Sequence, residues 1–347
     1  MEKMNQKSAS GPKCVLISIL IPTYNEEKFI EQCLQSVSNF ILPPEIKIEV
    51  FIIDGCSEDS TPFLIKKFIA NRPNYKLLIN PKRFQSAALN MGIKNSKGQF
   101  IARLDAHTIY PNDYIQNCYA ISESIGADNV GGLCTTLPGD DGLSAALVQA
   151  LTTHKFGVGN SGFRVGATAG YVDTVPFGFF KRSTFKKIGT FNELLIRTQD
   201  YEFNKRITSR GGAIYLDPNI KSSYFNQKSL RKFFSKQFRL QGPYNIYMWY
   251  VAPYTFNLRH AATGTFVLFL FSGAIIPVFG VYTYLWVSVV FIYIALAMLS
   301  SIQQAIRYKK SIMLLLLPPL FFTFHFCHGL GMWRGITKLI FRKAPVN

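Results

Sequence analysis

Acidic side chains are scarce in this sequence: 20 Asp and Glu stand against 38 Lys and Arg, a formal net charge of +18 over 347 residues. Such an imbalance suits three kinds of anionic partner, namely nucleic acid, an anionic membrane face or phosphate-bearing substrates. The placement of the cations argues against nucleic acid. Lys228, Arg231, Lys232, Lys236 and Arg239 gather just before a long apolar region, and Arg334, Lys338, Arg342 and Lys343 just after it, where they would face lipid headgroups. Cysteine is sparse too. The six residues, at 14, 33, 56, 118, 134 and 327, form no CxxC pair and no His/Cys spacing for zinc, which leaves most of them as small buried residues in a reducing compartment. Residues 1–13 are polar and the apolar run 14–22 is too short for a signal peptide, so the first domain is expected to stay in the cytosol.

Charge is almost missing from residues 261–331, apart from Arg307, Lys309 and Lys310. The expected organisation is a polar segment 1–13, a catalytic domain 14–228, a basic and aromatic interfacial segment 229–260, and a membrane domain 261–347. Three candidate spans, about 261–281, 283–300 and 312–331, each approach the roughly 20 residues that a hydrocarbon layer of about 30 Å requires. Three full spans would leave the basic C-terminus opposite the cytosolic domain, against the positive-inside tendency. Two to three spans are therefore expected, with the first or third segment re-entrant unless the rule fails here.

Before that region, strand and helix patterns alternate. Residues 15–21 form an apolar run ending at Pro22, a strand buried on both faces. Phe29, Ile30, Cys33, Leu34 and Val37 then recur at helical spacing. Strand 48–53, a helix with Thr61 as N-cap and Pro62 at its first position, strand 76–79, helix 86–94 and strand 99–104 follow. This predicts an α/β fold, a mostly parallel sheet flanked by helices. Ligands of such sheets bind beyond the carboxyl ends of the strands. Residues 22–26, 54–59 and 105–107 lie at those ends.

Three acidic positions there can carry chemistry. Asp105 and His107, one residue apart after a buried strand, could hold a divalent cation against a diphosphate, or could form a capped turn. Asp54 could accept hydrogen bonds from a base or ribose, or could simply shape an Asp-Gly turn. Asp200 opens a predicted helix either as an N-cap or as a general base, with Glu202 its nearest competitor.

Taken together, Ile-Pro-Thr-Tyr-Asn-Glu (21–26), Ile-Ile-Asp-Gly-Cys-Ser-Glu-Asp-Ser-Thr (52–61), Asn-Pro-Lys-Arg-Phe-Gln-Ser-Ala-Ala-Leu-Asn-Met-Gly (80–92) and Arg-Leu-Asp-Ala-His (103–107) resemble, in order, the motifs of family 2 glycosyltransferases of the GT-A fold. Asp-Ala-His in place of Asp-x-Asp, Val-Asp-Thr-Val-Pro-Phe-Gly (172–178), Asp-Tyr-Glu (200–202) and His-Gly-Leu-Gly-Met-Trp-Arg-Gly (328–335) resemble the succinoglycan-biosynthesis glucosyltransferase subgroup. The resemblance implies that Pro22, Thr23, Tyr24, Glu26, Asp54, Arg83 and Asp105 line the nucleotide-sugar pocket. It further implies that Asp105 and His107 hold Mg2+ or Mn2+, and that Asp200 is the base of an inverting transfer. Gln199 stands where the family has Glu, and Gln-Phe-Arg-Leu-Gln-Gly (237–242) only partly matches the Gln-x-x-Arg-Trp motif. Gln199, Glu202, Gln237 and Arg239 remain candidate contacts to acceptor or diphosphate.

The expected enzyme is a hexosyltransferase of the cytoplasmic membrane, multi-pass, with its catalytic domain facing the cytosol. It would move a hexose, glucose first, from a UDP-sugar to a polyprenyl-diphosphate-linked acceptor in surface polysaccharide assembly. The rivals are a polyprenyl-phosphate sugar synthase and a non-catalytic membrane scaffold.

Overall fold

A computed structural model describes residues 14–159, 161–275 and 280–342. The polar segment 1–13, Lys343 and part of the first expected span lie outside those residues. Among the described residues the sheet has nine strands: β1 (Val15–Thr23), β2 (Ile46–Asp54), β3 (Tyr75–Ile79), β4 (Phe100–Arg103), β5 (Thr108–Ile109), β6 (Asn129–Leu137), β7 (Gly170–Tyr171), β8 (Phe179–Lys181) and β9 (Ile214–Phe225). Their order is β3-β2-β1-β4-β8-β6-β9-β5, with β7 also on β9. The first four are parallel, β8 runs against both β4 and β6, and β6 and β9 are again parallel.

Alternation along β1 explains the layers. Ile17, Ile19 and Ile21 point into one core with Cys33, Leu34 and Val37 of the helix Ile30–Ser38. Leu20 points into the other, with Phe51, Ile53, Leu89 and Phe203. Each fully buried aliphatic side chain of this kind contributes about 1.5–3 kcal/mol. Where β6 meets β9 the register shifts between Gly131 and Leu133, and a Cβ on Gly132 would stand 1.8 Å from the Ile220 carbonyl oxygen, so only glycine fits.

The C-terminal part is helical: Leu258–Ile275, Val281–Tyr308 and Met313–Ile340. Among the described residues, the last two are long and apolar enough to cross a membrane. At 28 residues each they extend about 42 Å, beyond the 30 Å a hydrocarbon layer needs. The middle helix outruns the expected 283–300 because its polar end docks on the first domain: Arg307 Nη1 donates to the Thr153 carbonyl at 3.1 Å and the Tyr308 and Thr153 hydroxyls bond at 2.8 Å.

The basic segment folds as a helix (Leu230–Lys236), a π-turn (Gln237–Gln241) and a second helix (Gly242–Val251) laid on the last helix. The approach is backbone to backbone. A Cβ on Gly331 would meet the Phe238 carbonyl oxygen at 2.8 Å, and one on Gly242 the His328 carbonyl oxygen at 2.4 Å. His325 and His328 join the last helix to the other two, their Nδ1 atoms bonding to the Tyr293 hydroxyl at 2.8 Å and the Thr263 hydroxyl at 2.7 Å, and His328 Nε2 also meets Asn245 Nδ2 of the basic segment at 3.2 Å.

Candidate active site

Strand register brings the acidic positions to one edge. Thr23 lies beside Asp54 and Asp54 beside Ile79, while Arg103 ends β4 next to Leu20. The Leu104 N–H still bonds to the Leu20 carbonyl at 2.9 Å before the chain leaves the sheet at Asp105. Among the described residues, five of the seven non-glycine residues with positive φ, namely Asn25, Cys56, Arg83, Phe177 and Thr198, sit in the loops here. Such conformations cost of order 1–3 kcal/mol and collect at functional sites.

The loops after β1 and β2 are laced together. Asp54, 1% exposed, accepts from the Ser57 N–H at 3.0 Å and from the Ser57 hydroxyl. Ser57 Oγ accepts from the Asn25 N–H at 2.9 Å, Asn25 Oδ1 from the Glu58 N–H at 2.8 Å, and Thr61 Oγ1 from the Glu26 N–H at 2.8 Å. Thr61 is thus the first helical residue rather than the expected N-cap, which is Ser60. Pro22 is half-buried, Tyr24 projects into solvent, and Arg83 pairs with Glu58 at 3.1 Å.

Asp105 Oδ1 accepts from Gln85 Nε2 and from Arg103 Nη2, each at 3.1 Å. His107 Nδ1 lies 2.8 Å from Glu26 Oε1. Because a carboxylate only accepts, Nδ1 carries a proton and Nε2 is the nitrogen left for a metal. The His107 ring also meets Tyr224 edge-on at 4.8 Å. Burial opposes a charge on this imidazole, but Tyr224 and the Glu26 carboxylate outweigh burial and push its pKa up to about 10.

Asp200 belongs to the helix Gln199–Ser209 and is preceded by Thr198 at φ 62°. Its side chain is 47% exposed, and its Oδ2 stands 3.6 Å from Arg103 Nη1. Arg103, nearly buried, therefore bridges Asp105 and Asp200. Burial disfavours its charge, yet the two carboxylates prevail and raise its pKa. Gln199 Nε2 donates to Gln85 Oε1 at 2.6 Å, so Gln85 links Gln199 to Asp105. Glu202 is buried. Both its oxygens are taken by Arg206, at 2.9 and 2.7 Å, and the Tyr254 hydroxyl also donates to it. Its carboxylate ties helix to turn and does not face the cleft, leaving Asp200 as the open carboxylate.

Gln237 is buried at the head of the π-turn and Arg239 is exposed on it. Two other cations approach more closely. The Arg164 guanidinium lies 5.5 Å from the Tyr224 ring centroid, and Lys236 is drawn below its ordinary pKa by burial and then by Arg197 beside it. Sequence reading missed the bridging role of Arg103, although a lone cation at the end of an apolar strand was a signal.

Among the described residues no group of three or more His, Cys, Asp or Glu side chains is arranged around a cation. Asp105 and His107 fit a hard divalent ion nonetheless. Mg2+-like ions use one or two protein carboxylates and take their remaining ligands from phosphate and water, and Glu26 supplies the orienting partner that a metal-bound histidine requires.

A mixed α/β sheet with acidic loops at its carboxyl edge and Asp-x-His after the fourth strand defines a GT-A-type glycosyltransferase. The profile described as Glycosyl transferase family 2 matches residues 18–189. The chain is 30% identical over 330 residues to the dolichyl N-acetyl-alpha-D-glucosaminyl phosphate 3-beta-D-2,3-diacetamido-2,3-dideoxy-beta-D-glucuronosyltransferase of Methanococcus voltae, covering 93% of this chain and 97% of that one. It belongs to glycosyltransferase family 2. Succinoglycan biosynthesis protein ExoA of Rhizobium meliloti (strain 1021) is 28% identical over 222 residues, covering 63% of this chain and 66% of that one. In fold, the chain is similar to the mannosyltransferase PcManGT of Pyrobaculum calidifontis, solved with GDP-Man and Mn2+, at a TM-score of 0.56 and 17% identity over 96% of this chain and 90% of that one.

Proposed function

We propose that this protein transfers a hexose, glucose first among donors, from a UDP-sugar to a lipid-linked sugar phosphate or diphosphate, inverting the anomeric carbon, during assembly of a surface glycan. The observation that carries the reading is the bridge through Arg103: a half-exposed carboxylate, Asp200, is held across a shared guanidinium from the Asp105–His107 pair. Asp200 removes the proton of the acceptor hydroxyl, and Arg103 fixes its distance from the donor. Thr23, Tyr24, Asp54 and Arg83 hold the nucleotide. Asp105 and His107 would hold a divalent cation, Mg2+ or Mn2+, which would supply positive charge against the departing diphosphate. The lipid-linked acceptor is supported by the Methanococcus relative, named for a dolichyl-linked acceptor, and by two helices long and apolar enough to cross a membrane.

This reading places the enzyme in the cytoplasmic membrane as a multi-pass protein with its catalytic domain on the cytosolic side. Purified protein given labelled UDP-glucose, Mn2+ and a membrane lipid extract should yield a labelled lipid, and a panel of nucleotide sugars tested for nucleoside diphosphate release identifies the donor. No labelled lipid with any donor in the panel would sink the reading.

A further inference from the structure

A second concavity, of about 240 Å3, lies between the sheet and the C-terminal helices, lined among others by Cys134 and Thr136 of β6, Gln149, Arg164, Arg307 and Tyr308. Two guanidinium groups share it, and among the described residues neither has a carboxylate within ion-pair distance. Arg307 spends one donor on the Thr153 carbonyl, leaving the rest of its fork. Thr136, only 4% exposed, has a buried hydroxyl with no partner in the protein. Two like charges and an orphaned hydroxyl around one cleft are each unfavourable alone, and an anion with several acceptor oxygens satisfies all three.

Position narrows the anion further. Arg307 lies in the last turn of the helix Val281–Tyr308, so this wall of the cleft belongs to an element long enough to cross a membrane. Ten residues earlier, about 15 Å along the same helix, Ala297 with Tyr293 and Val290 lines an apolar groove of about 320 Å3 closed by Phe266, Pro318 and Phe322. Val290, Tyr293, Ala297 and Tyr308 fall on one stripe at i, i+3, i+7 and i+18. The opposite wall, Arg164, stacks over Tyr224, whose ring touches His107.

We propose that this cleft binds the phosphate of the lipid-linked acceptor, gripped between Arg164 and Arg307 with the Thr136 hydroxyl donating, while the isoprenyl chain lies along the Val281–Tyr308 helix. The proposal rests on the lipid-acceptor reading above. It is tested by equilibrium binding of farnesyl phosphate, farnesol and inorganic phosphate to the full chain in nanodiscs, with UDP-sugar binding measured in parallel. Farnesyl phosphate should bind best, and Arg307→Gln should weaken it about tenfold or more, the scale of losing charged hydrogen bonds, with Arg307→Lys recovering part and Thr136→Val losing less. The lysine variant, which can still donate to Thr153, separates loss of the anion from loss of fold. Equal affinity for farnesol or for inorganic phosphate, or an unchanged farnesyl phosphate affinity in Arg307→Gln, overturns it. If the donor binds and farnesyl phosphate does not, the cleft proposal falls and the transferase reading stands; the reverse outcome sinks the UDP donor and leaves the cleft.

Discussion

Around the ends of β1 and β2 nearly every polar group is matched within the protein, whereas around the start of the helix Gln199–Ser209 and the segment after it many are not. Asp54, Ser57, Asn25, Glu26 and Thr61 satisfy one another across two loops. On the other side, Arg197 Nε, Gln199 Oε1, the Tyr201 hydroxyl and Trp249 Nε1 are buried without protein partners. Each such group costs about 1–3 kcal/mol. The first half is organised before anything binds, as a rigid cradle should be. The second half, with Asp200 between Gln199 and Tyr201 at the start of its helix, leaves these groups unmatched within the protein.

The most severe way to break this contrast is Asp200→Asn. It should lower kcat for sugar transfer by about 100- to 10,000-fold with little change in donor KM, read with labelled UDP-sugar. Retained activity would mean that no base acts from that half. Next, Arg206→Met would strand the buried Glu202 carboxylate and should reduce unfolding free energy by about 3–5 kcal/mol, measured by denaturant titration in detergent. A negligible loss would show that this pair does not brace the helix that carries Asp200. Glu26→Gln sharpens the finished half: Mn2+ affinity in the presence of UDP, followed by calorimetry, should fall about 10- to 100-fold as His107 loses its orienting partner. The smallest effect is at the rim. Lys82 and then Asn90 hold Glu193 below the ordinary carboxylate pKa. A depressed folded-state pKa stabilises above the unfolded value, about 4.3, and that stabilisation is lost as pH falls through the folded value. For a pair this exposed it amounts to about 0.2–1 kcal/mol, and Glu193→Gln should flatten the acid limb of the stability profile by that amount.

The parallel half of the sheet was legible because strands buried on both faces write themselves as apolar runs, as in residues 15–21. The distal half was not. The extended pattern of 215–226 marks β9 itself, but not its place in the sheet, because its partner β6 lies far off in sequence. Thr61 shows a local rule losing to a distant partner, since its hydroxyl serves the Glu26 N–H instead of its own helix. Asp54, Asp105, His107 and Asp200 stand at one edge, but 95 residues separate Asp105 from Asp200, and nothing local announces that Arg103 spans them. Glu26 was read as a nucleotide contact; its partner here is His107. Lys236, expected among the headgroup cations, is instead half-buried near Arg197, which nothing in the local sequence announces.

The glycine seam between the last helix and the segment 237–246 sets a length. Side chains at a joint can be trimmed or extended by substitution, but Gly331 against Phe238 and Gly242 against His328 bring main chain onto main chain, with nothing left to adjust. The same segment reaches the site: the Tyr244 carbonyl accepts from the Thr198 hydroxyl at 3.4 Å, one residue before the helix that carries Asp200. A joint made of main chain therefore passes its fixed spacing to the place where that carboxylate begins.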